Sequence, residues 1–306
     1  MKKLNLQIGS MIVFCLLPLG CIQTSCSSDD DEPEGVGQQG DGRKLLQMTV
    51  SDVPLTRATL TDNISTLGAS WNAGDAATYF NVSSFTTDRM DYGTLYASSS
   101  AATSAFTGTV RCSVNDNIAL LYPATAPIMS GENRGKFTIS LGGQKGTLGD
   151  VAQRYHYVYG VGKVTSVTET TANATISSMQ SLLALAKFEF NDGTNPIAVK
   201  SLSIRYYEDD AIYGPSLLDY PLTGTLTPSV GDVAVVPAAQ KDWDGPLVIT
   251  LDSETSDGVY VALFPVSGYN IFFSVENSEG TYTGTASATL KAGKFYPANL
   301  KLTKQE

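Results

Sequence analysis

The chain has 306 residues, enough for one large or two medium domains. Only 16% of them are charged, and Gly, Ser, Thr and Tyr are plentiful, a composition that suits an all-β protein with many turns. The formal net charge of −10 argues against nucleic acid as a partner, because phosphate binding needs a basic surface and no basic stripe interrupts the acidity.

Met1–Cys26 reads as a targeting segment outside the fold. Lys2 and Lys3 supply the positive start, and Met11–Leu19 is an apolar run too short to span a bilayer. Cys26 leads straight into Ser27-Ser28-Asp29-Asp30-Asp31-Glu32 and is the favoured lipid-bearing residue. Cys21, behind Pro18-Leu19-Gly20, is the alternative, and an ordinary cleaved signal peptide is the simpler reading of the same stretch. The run from Cys26 looks like the start of lipoproteins that Bacteroidota send to the cell surface. Residues 27–43 are acidic, Gly-rich and without periodicity, and read as a flexible tether and not as a cation site. Cys15, Cys21 and Cys26 fall in the targeting segment, so Cys112 alone remains in the fold, with no disulfide pair to staple it. In its setting Thr109-Val110-Arg111-Cys112-Ser113-Val114, Cys112 reads as a small core residue.

Lys44–Arg57 is the stretch around which the chain is organised. Leu46, Met48 and Val50 fall on one face and Gln47, Thr49 and Ser51 on the other, the pattern of a half-buried strand over Leu45–Val53. Pro54 stops it, and a polar segment containing Arg57 follows. A complete strand therefore lies between the targeting region and a basic residue where a protease can cut, and it reads as removable.

From Ala58 to about Ser178 the chain reads as short strands between turns: Ala77–Val82, Gly93–Tyr96, Ala105–Val110, Ile118–Tyr122 ended by Pro123, and Lys136–Leu141. Tyr155, Tyr157 and Tyr159 alternate ahead of Gly160 as a further candidate. Thr165–Thr175 is polar and β-branched, and the junction between an N-terminal domain (44–175) and a C-terminal one (176–306) is expected there. In the second half, strands are expected at Ser181–Phe190, Leu202–Tyr206, Leu217–Leu226, Pro246–Leu251, Tyr260–Val266, Ile271–Val275 and Phe295–Thr303. Tyr296, Ala298, Leu300 and Leu302 share one face of the last. Strands at this spacing predict β-sandwiches.

Several short motifs recur in order along the chain: Thr56-Arg57-Ala58, Trp71-Asn72-Ala73-Gly74-Asp75 before an aromatic strand, Leu121-Tyr122-Pro123-Ala124 and the Gly143–Leu148 turn. Leu182–Phe190, Leu263-Phe264-Pro265 and the closing Lys291–Tyr296 complete the set. In this order and behind this leader the chain resembles the fimbrillins, the Mfa-like subunits of type V pili in Bacteroidota, over nearly its whole length. The resemblance implies two tandem transthyretin-like β-sandwich domains, lipidation, display at the outer membrane and cleavage by an arginine-specific protease. Carried onto this sequence, the cut falls between Arg57 and Ala58, with Arg43 as the runner-up. A cut at Arg57 removes the strand, whereas one at Arg43 removes only the tether. The groove so opened is expected to accept a strand from another pilin subunit. In the family, the shaft subunits donate a C-terminal segment. Here Phe295–Thr303 looks like the last strand of its own domain, so either it peels away or the subunit is an accepting tip or accessory one.

Other function classes are weaker in the sequence. The single histidine, His156, sits in an alternating run, and no Gly-x-Ser-x-Gly elbow or metal-binding histidine spacing exists. Glu208, Asp209 and Asp210 read as a strand end and turn, so no enzyme and no cofactor are expected. The rival reading is a surface-anchored lipoprotein that binds glycan or a host protein without polymerising, with Trp71, Trp243, Tyr206 and Tyr207 as a stacking platform.

Overall fold

The computed structural model describes residues 45–54, 59–62, 67–210, 214–287 and 289–306. They belong to one compact unit, residues 40–306. The strands of its first part are β1 (Leu45–Pro54), β2 (Thr59–Asp62), β3 (Leu67–Ser70), β4 (Ala76–Asn81), β5 (Tyr92–Ala97), β6 (Thr103–Arg111) and β7 (Asn117–Tyr122). After them come β8 (Phe137–Ser140), β9 (Val158–Val167), β10 (Thr171–Thr175) and β11 (Gln180–Ser181). The second part holds β12 (Ala184–Asn191), β13 (Val199–Asp210), β14 (Gly214–Leu218), β15 (Thr223–Leu226), β16 (Val235–Pro237) and β17 (Leu247–Thr255). It ends with β18 (Val259–Leu263), β19 (Asn270–Asn277), β20 (Gly280–Ser287), β21 (Phe295–Lys301) and β22 (Thr303–Lys304). The all-β expectation is met.

The first sheet runs β10-β1-β6-β5-β4-β7-β9, with β11 beyond β9, and β9 also pairs with β10. The hydrogen-bonding order therefore closes on itself as a ring, which leaves no open edge among those seven strands. Alternate side chains point inward and make a core of Met48, Val50, Trp71, Leu95, Phe106, Ile118, Leu120 and Val158, among others. In the second part the three-stranded sheet β18-β12-β21 faces the sheet β14-β13-β19-β20-β22, in which β17 also pairs with β13. Phe188 and Phe190 of β12 meet Phe273 of β19 edge-on, with centroids 5.0 and 5.9 Å apart, so two sheets pack face to face over one core. That larger core also takes in Phe80, Leu121, Phe137 and Leu141, and β8 joins β15 and β16 in a small sheet.

Several stretches differ from their sequence expectation; β18 stops at Leu263, and β20 forms where no strand is expected. Leu148–Tyr155 is helical, with Tyr155 at its end, and β9 starts only at Val158. The Thr147 hydroxyl accepts from Asp150 N at 3.1 Å, Asp150 pairs with Arg154 one turn on, and Val151, Ala152 and Tyr155 are buried at helical spacing. The run expected over Leu217–Leu226 breaks at Asp219–Leu222, where Pro221 interrupts it and the buried Tyr220 hydroxyl accepts from Phe264 N at 3.2 Å. The polar Thr165–Thr175 stretch forms the end of β9 and all of β10, whose Ala172 and Ala174 point into the ring while Thr171, Asn173 and Thr175 face water.

Candidate functional site

The site is the seat of β1. Its inward residues Leu46, Met48, Val50 and Val53 are buried, while Leu45 and Gln47 are exposed and Thr49 and Ser51 half-buried. Period-two alternation accounts for the first three. Val53 joins them because the register against β6 shifts between Val50 and Val53, and this bulge restores the inward parity just before Pro54. Pro54 is tolerated because it is the last residue of the strand.

Both neighbours are matched to this strand. On β6, running antiparallel, Met48 lies opposite Gly108, Val50 opposite Phe106 and Leu46 opposite Val110. On β10, running parallel, Met48 lies beside Ala172 and Val50 beside Ala174. The longest inward side chain thus falls between two small partners, Gly108 and Ala172. Gly108 has no spare room of its own: a Cβ there would stand 2.7 Å from Thr94 O and 2.8 Å from the Leu95 side chain. The ring end beside β1 is plugged by Trp71, whose Nε1 donates to Val53 O at 3.3 Å. Its indole stands edge-on to Phe106 at 4.9 Å and Tyr122 at 5.3 Å. Burial pushes the Tyr79 and Tyr122 hydroxyls well above the usual tyrosine range, so both stay protonated inside the ring.

The sequence-level candidates fall as follows. Leu46, Met48 and Val50 are brought together inside the ring. Cys21, Cys26, Arg43, Arg57 and Ala58 lie outside the described residues. Tyr296, Ala298 and Leu300 are half-buried on β21, which pairs in parallel with β12, and Leu302 is buried just beyond it. Leu302 N donates to Asn191 O at 2.8 Å, so this segment is seated in its own sheet. Sequence reasoning missed Val53, Gly108, Ala172 and Ala174. The alternating Ala of Thr171-Ala172-Asn173-Ala174-Thr175 was the available signal for the last two.

The stacking platform does not form. Trp71 is sealed in the ring, whereas Tyr206 is buried in the other core, stacked on Tyr269 at 4.7 Å and near Trp243 at 5.4 Å. Trp243 Nε1 donates to Ala238 O at 2.8 Å. His156 is buried, with Nε2 2.9 Å from Ser181 Oγ, and Cys112 lies in the ring core. Glu208, Asp209 and Asp210 belong to β13, paired with β14. Among the described residues no helix is long and apolar enough to cross a membrane.

No family model matches the sequence, and no curated protein matches it either. Solved structures do. A candidate cell adhesion protein of Bacteroides ovatus superposes with a TM-score of 0.47 at 14% identity, over 86% of this chain and 96% of that one. The tip fimbrial protein Mfa3 of Porphyromonas gingivalis, truncated at its C-terminus, gives 0.42 at 10% identity, over 86% and 97%. The shaft pilin SpaA of Lactobacillus rhamnosus gives 0.33 at 9% identity, over 86% and 99%. At these scores no residue or role is carried across, and the functional reading rests on β1 and its neighbours.

Proposed function

We propose that this chain is a structural subunit of a surface pilus of the fimbrillin type, exported as a lipoprotein and kept from assembling by its own first strand. The observation that carries the reading is the seat of β1. A strand next to the exported start of the chain, just ahead of Arg57, is one complete member of a closed ring and fills its core. Cleavage after Arg57 frees the C-terminal end of that strand. Its departure exposes backbone donors and acceptors on both β6 and β10 together with four apolar sites, which a strand from another subunit then satisfies. In the same proposal Cys26 carries the lipid that holds the precursor at the outer membrane. In the same proposal the chain is built as two tandem transthyretin-like units divided near residue 175. The segment from Tyr296 to Leu302 is the candidate donor, being at the edge of its sheet with Tyr296, Ala298 and Leu300 only half-buried.

The test is limited digestion of the unlipidated precursor, residues 27–306, with an arginine-specific protease. The new N-terminus is read by mass and particle size by light scattering. The expected result is one cut giving Ala58, a folded remainder, and either ladders of subunits or capping by an added strand peptide. Resistance at Arg57, or a cut product that keeps β1 and stays monomeric under all conditions, refutes the proposal.

A further inference from the structure

An open sheet edge offers a row of unpaired backbone groups to any strand it meets, and folds that avoid aggregation block such edges. The three-stranded sheet β18-β12-β21 has two of them. On β21 the edge carries Pro297, which lacks a backbone donor, and the exposed Lys301. The β18 edge carries no such residue: Val259-Tyr260-Val261-Ala262-Leu263-Phe264 is uncharged, proline-free and rich in β-branched and aromatic side chains. Such a segment pairs well with a copy of itself.

Three groups close this edge: Gly146 O accepts from Tyr260 N, the Tyr220 hydroxyl accepts from Phe264 N, and between them one side chain takes both bonds of Ala262. The Gln144 amide donates through Nε2 to Ala262 O at 3.0 Å, and its Oε1 accepts from Ala262 N at 2.8 Å. Those are the two bonds that a residue of an adjoining strand makes. A third bond, Nε2 to Leu141 O at 3.1 Å, ties the amide to its own loop, and Gly146 O accepts from Tyr260 N at 2.9 Å. Gln144 is only 2% exposed. A Cβ on Gly146 would stand 2.8 Å from the Val259 side chain, so the loop backbone lies directly against the strand.

We infer that Gln144 guards the β18 edge, sealing it against edge-to-edge pairing with the β18 of a second copy of this chain. The inference is independent of any release of β1. It makes the amide a specificity residue for assembly, one that closes a wrong joint.

Gln144→Glu in the unlipidated precursor, residues 27–306, supplies the test, because its seal depends on protonation. Below about pH 4 the neutral carboxyl accepts from Ala262 N and donates to Ala262 O, as the amide does. Above about pH 8 the carboxylate cannot donate and faces two carbonyl oxygens. Sedimentation velocity should show this variant monomeric in acid and reversibly self-associated, in a concentration-dependent way, in base, with the parent chain monomeric at both. Gln144→Met, of similar size and unable to pair, should associate at either pH, and its Ala262 amide should exchange hydrogen about tenfold faster or more in the dilute monomer. Variants that stay folded and monomeric while that amide exchanges faster overturn the inference. Loss of the fold in both variants overturns it too, because Gln144 would then be a determinant of stability and not a guard.

Discussion

Met48→Ala is the sharpest probe of how β1 is held. Met48 has no exposed surface and lies between Gly108 and Ala172, two residues too small to close the gap left by its truncation. Truncating a buried Met to Ala costs roughly 2–5 kcal/mol, and the upper part of that range applies where the site cannot collapse. In the intact chain this appears as a lower unfolding midpoint. In a chain cut after Arg57 the same energy bears on the bound strand, so its release should speed up by roughly one and a half to three and a half orders of magnitude. Burial of Leu46, Met48, Val50 and Val53 together is worth roughly 6–12 kcal/mol at about 1.5–3 kcal/mol each, comparable to the whole stability of a typical domain. The parent strand should therefore leave slowly and the truncated one fast. The assay is the release of a dye-labelled β1 from the cut protein under excess unlabelled peptide. Gln47→Ala, on the exposed face, is the control. If both variants lose the strand at the same rate, the inward face does not hold it and the reasoning fails.

Other consequences are open to simple measurement. Gly108→Val forces a Cβ against Thr94 O and Leu95 at less than 3 Å and should cost about 1–3 kcal/mol or more in a denaturant titration. Trp71→Phe removes the bond to Val53 O and should destabilise by about 1–3 kcal/mol; in the parent, release of β1 should shift the Trp71 emission to the red. Burial raises the Tyr159 and Tyr206 hydroxyls from the ordinary 10.0 to about 12. The folded state then holds protons that the unfolded chain gives up first, so stability should be level up to about pH 10 and fall between about pH 10 and 12. A stability that rises over that window refutes the assignment of those hydroxyls to the cores. Arg205→Ala removes an ion pair to Asp219 at 2.8 Å between two half-exposed side chains and should change the unfolding midpoint little, by less than about 1 kcal/mol.

Local chemistry made much of this fold legible in the sequence. The alternation of Leu46, Met48 and Val50, the stop at Pro54 and the apolar runs of β4, β7 and β19 each carry their period in a few residues. What the sequence hides is mostly pairing. β10 is written in Thr, Asn and Ala, which look like a linker until a neighbour needs small side chains at Ala172 and Ala174. β20 has one large apolar residue, Tyr282, and is a strand because β19 lies beside it along its whole length. Tyr155, Tyr157 and Tyr159 fit an alternating pattern, yet Thr147, Asp150 and Arg154 stabilise a helical turn that ends at the first of them. At the candidate site the inward face could be read from period two, but Val53 could not. Its side depends on a bulge set by β6, a partner about fifty residues further on.

The unequal neighbours of β1 have a geometric consequence. One wall of its seat bonds it in the antiparallel pattern and the other in the parallel pattern, and the two patterns space their bonds differently. A strand inserted the other way round would have to exchange these patterns and would lose the register that sets its longest side chain between Gly108 and Ala172. The seat therefore reads direction as well as sequence. In the assembly proposed above, units joined through it would all point the same way, and a fibre built from them would have two different ends.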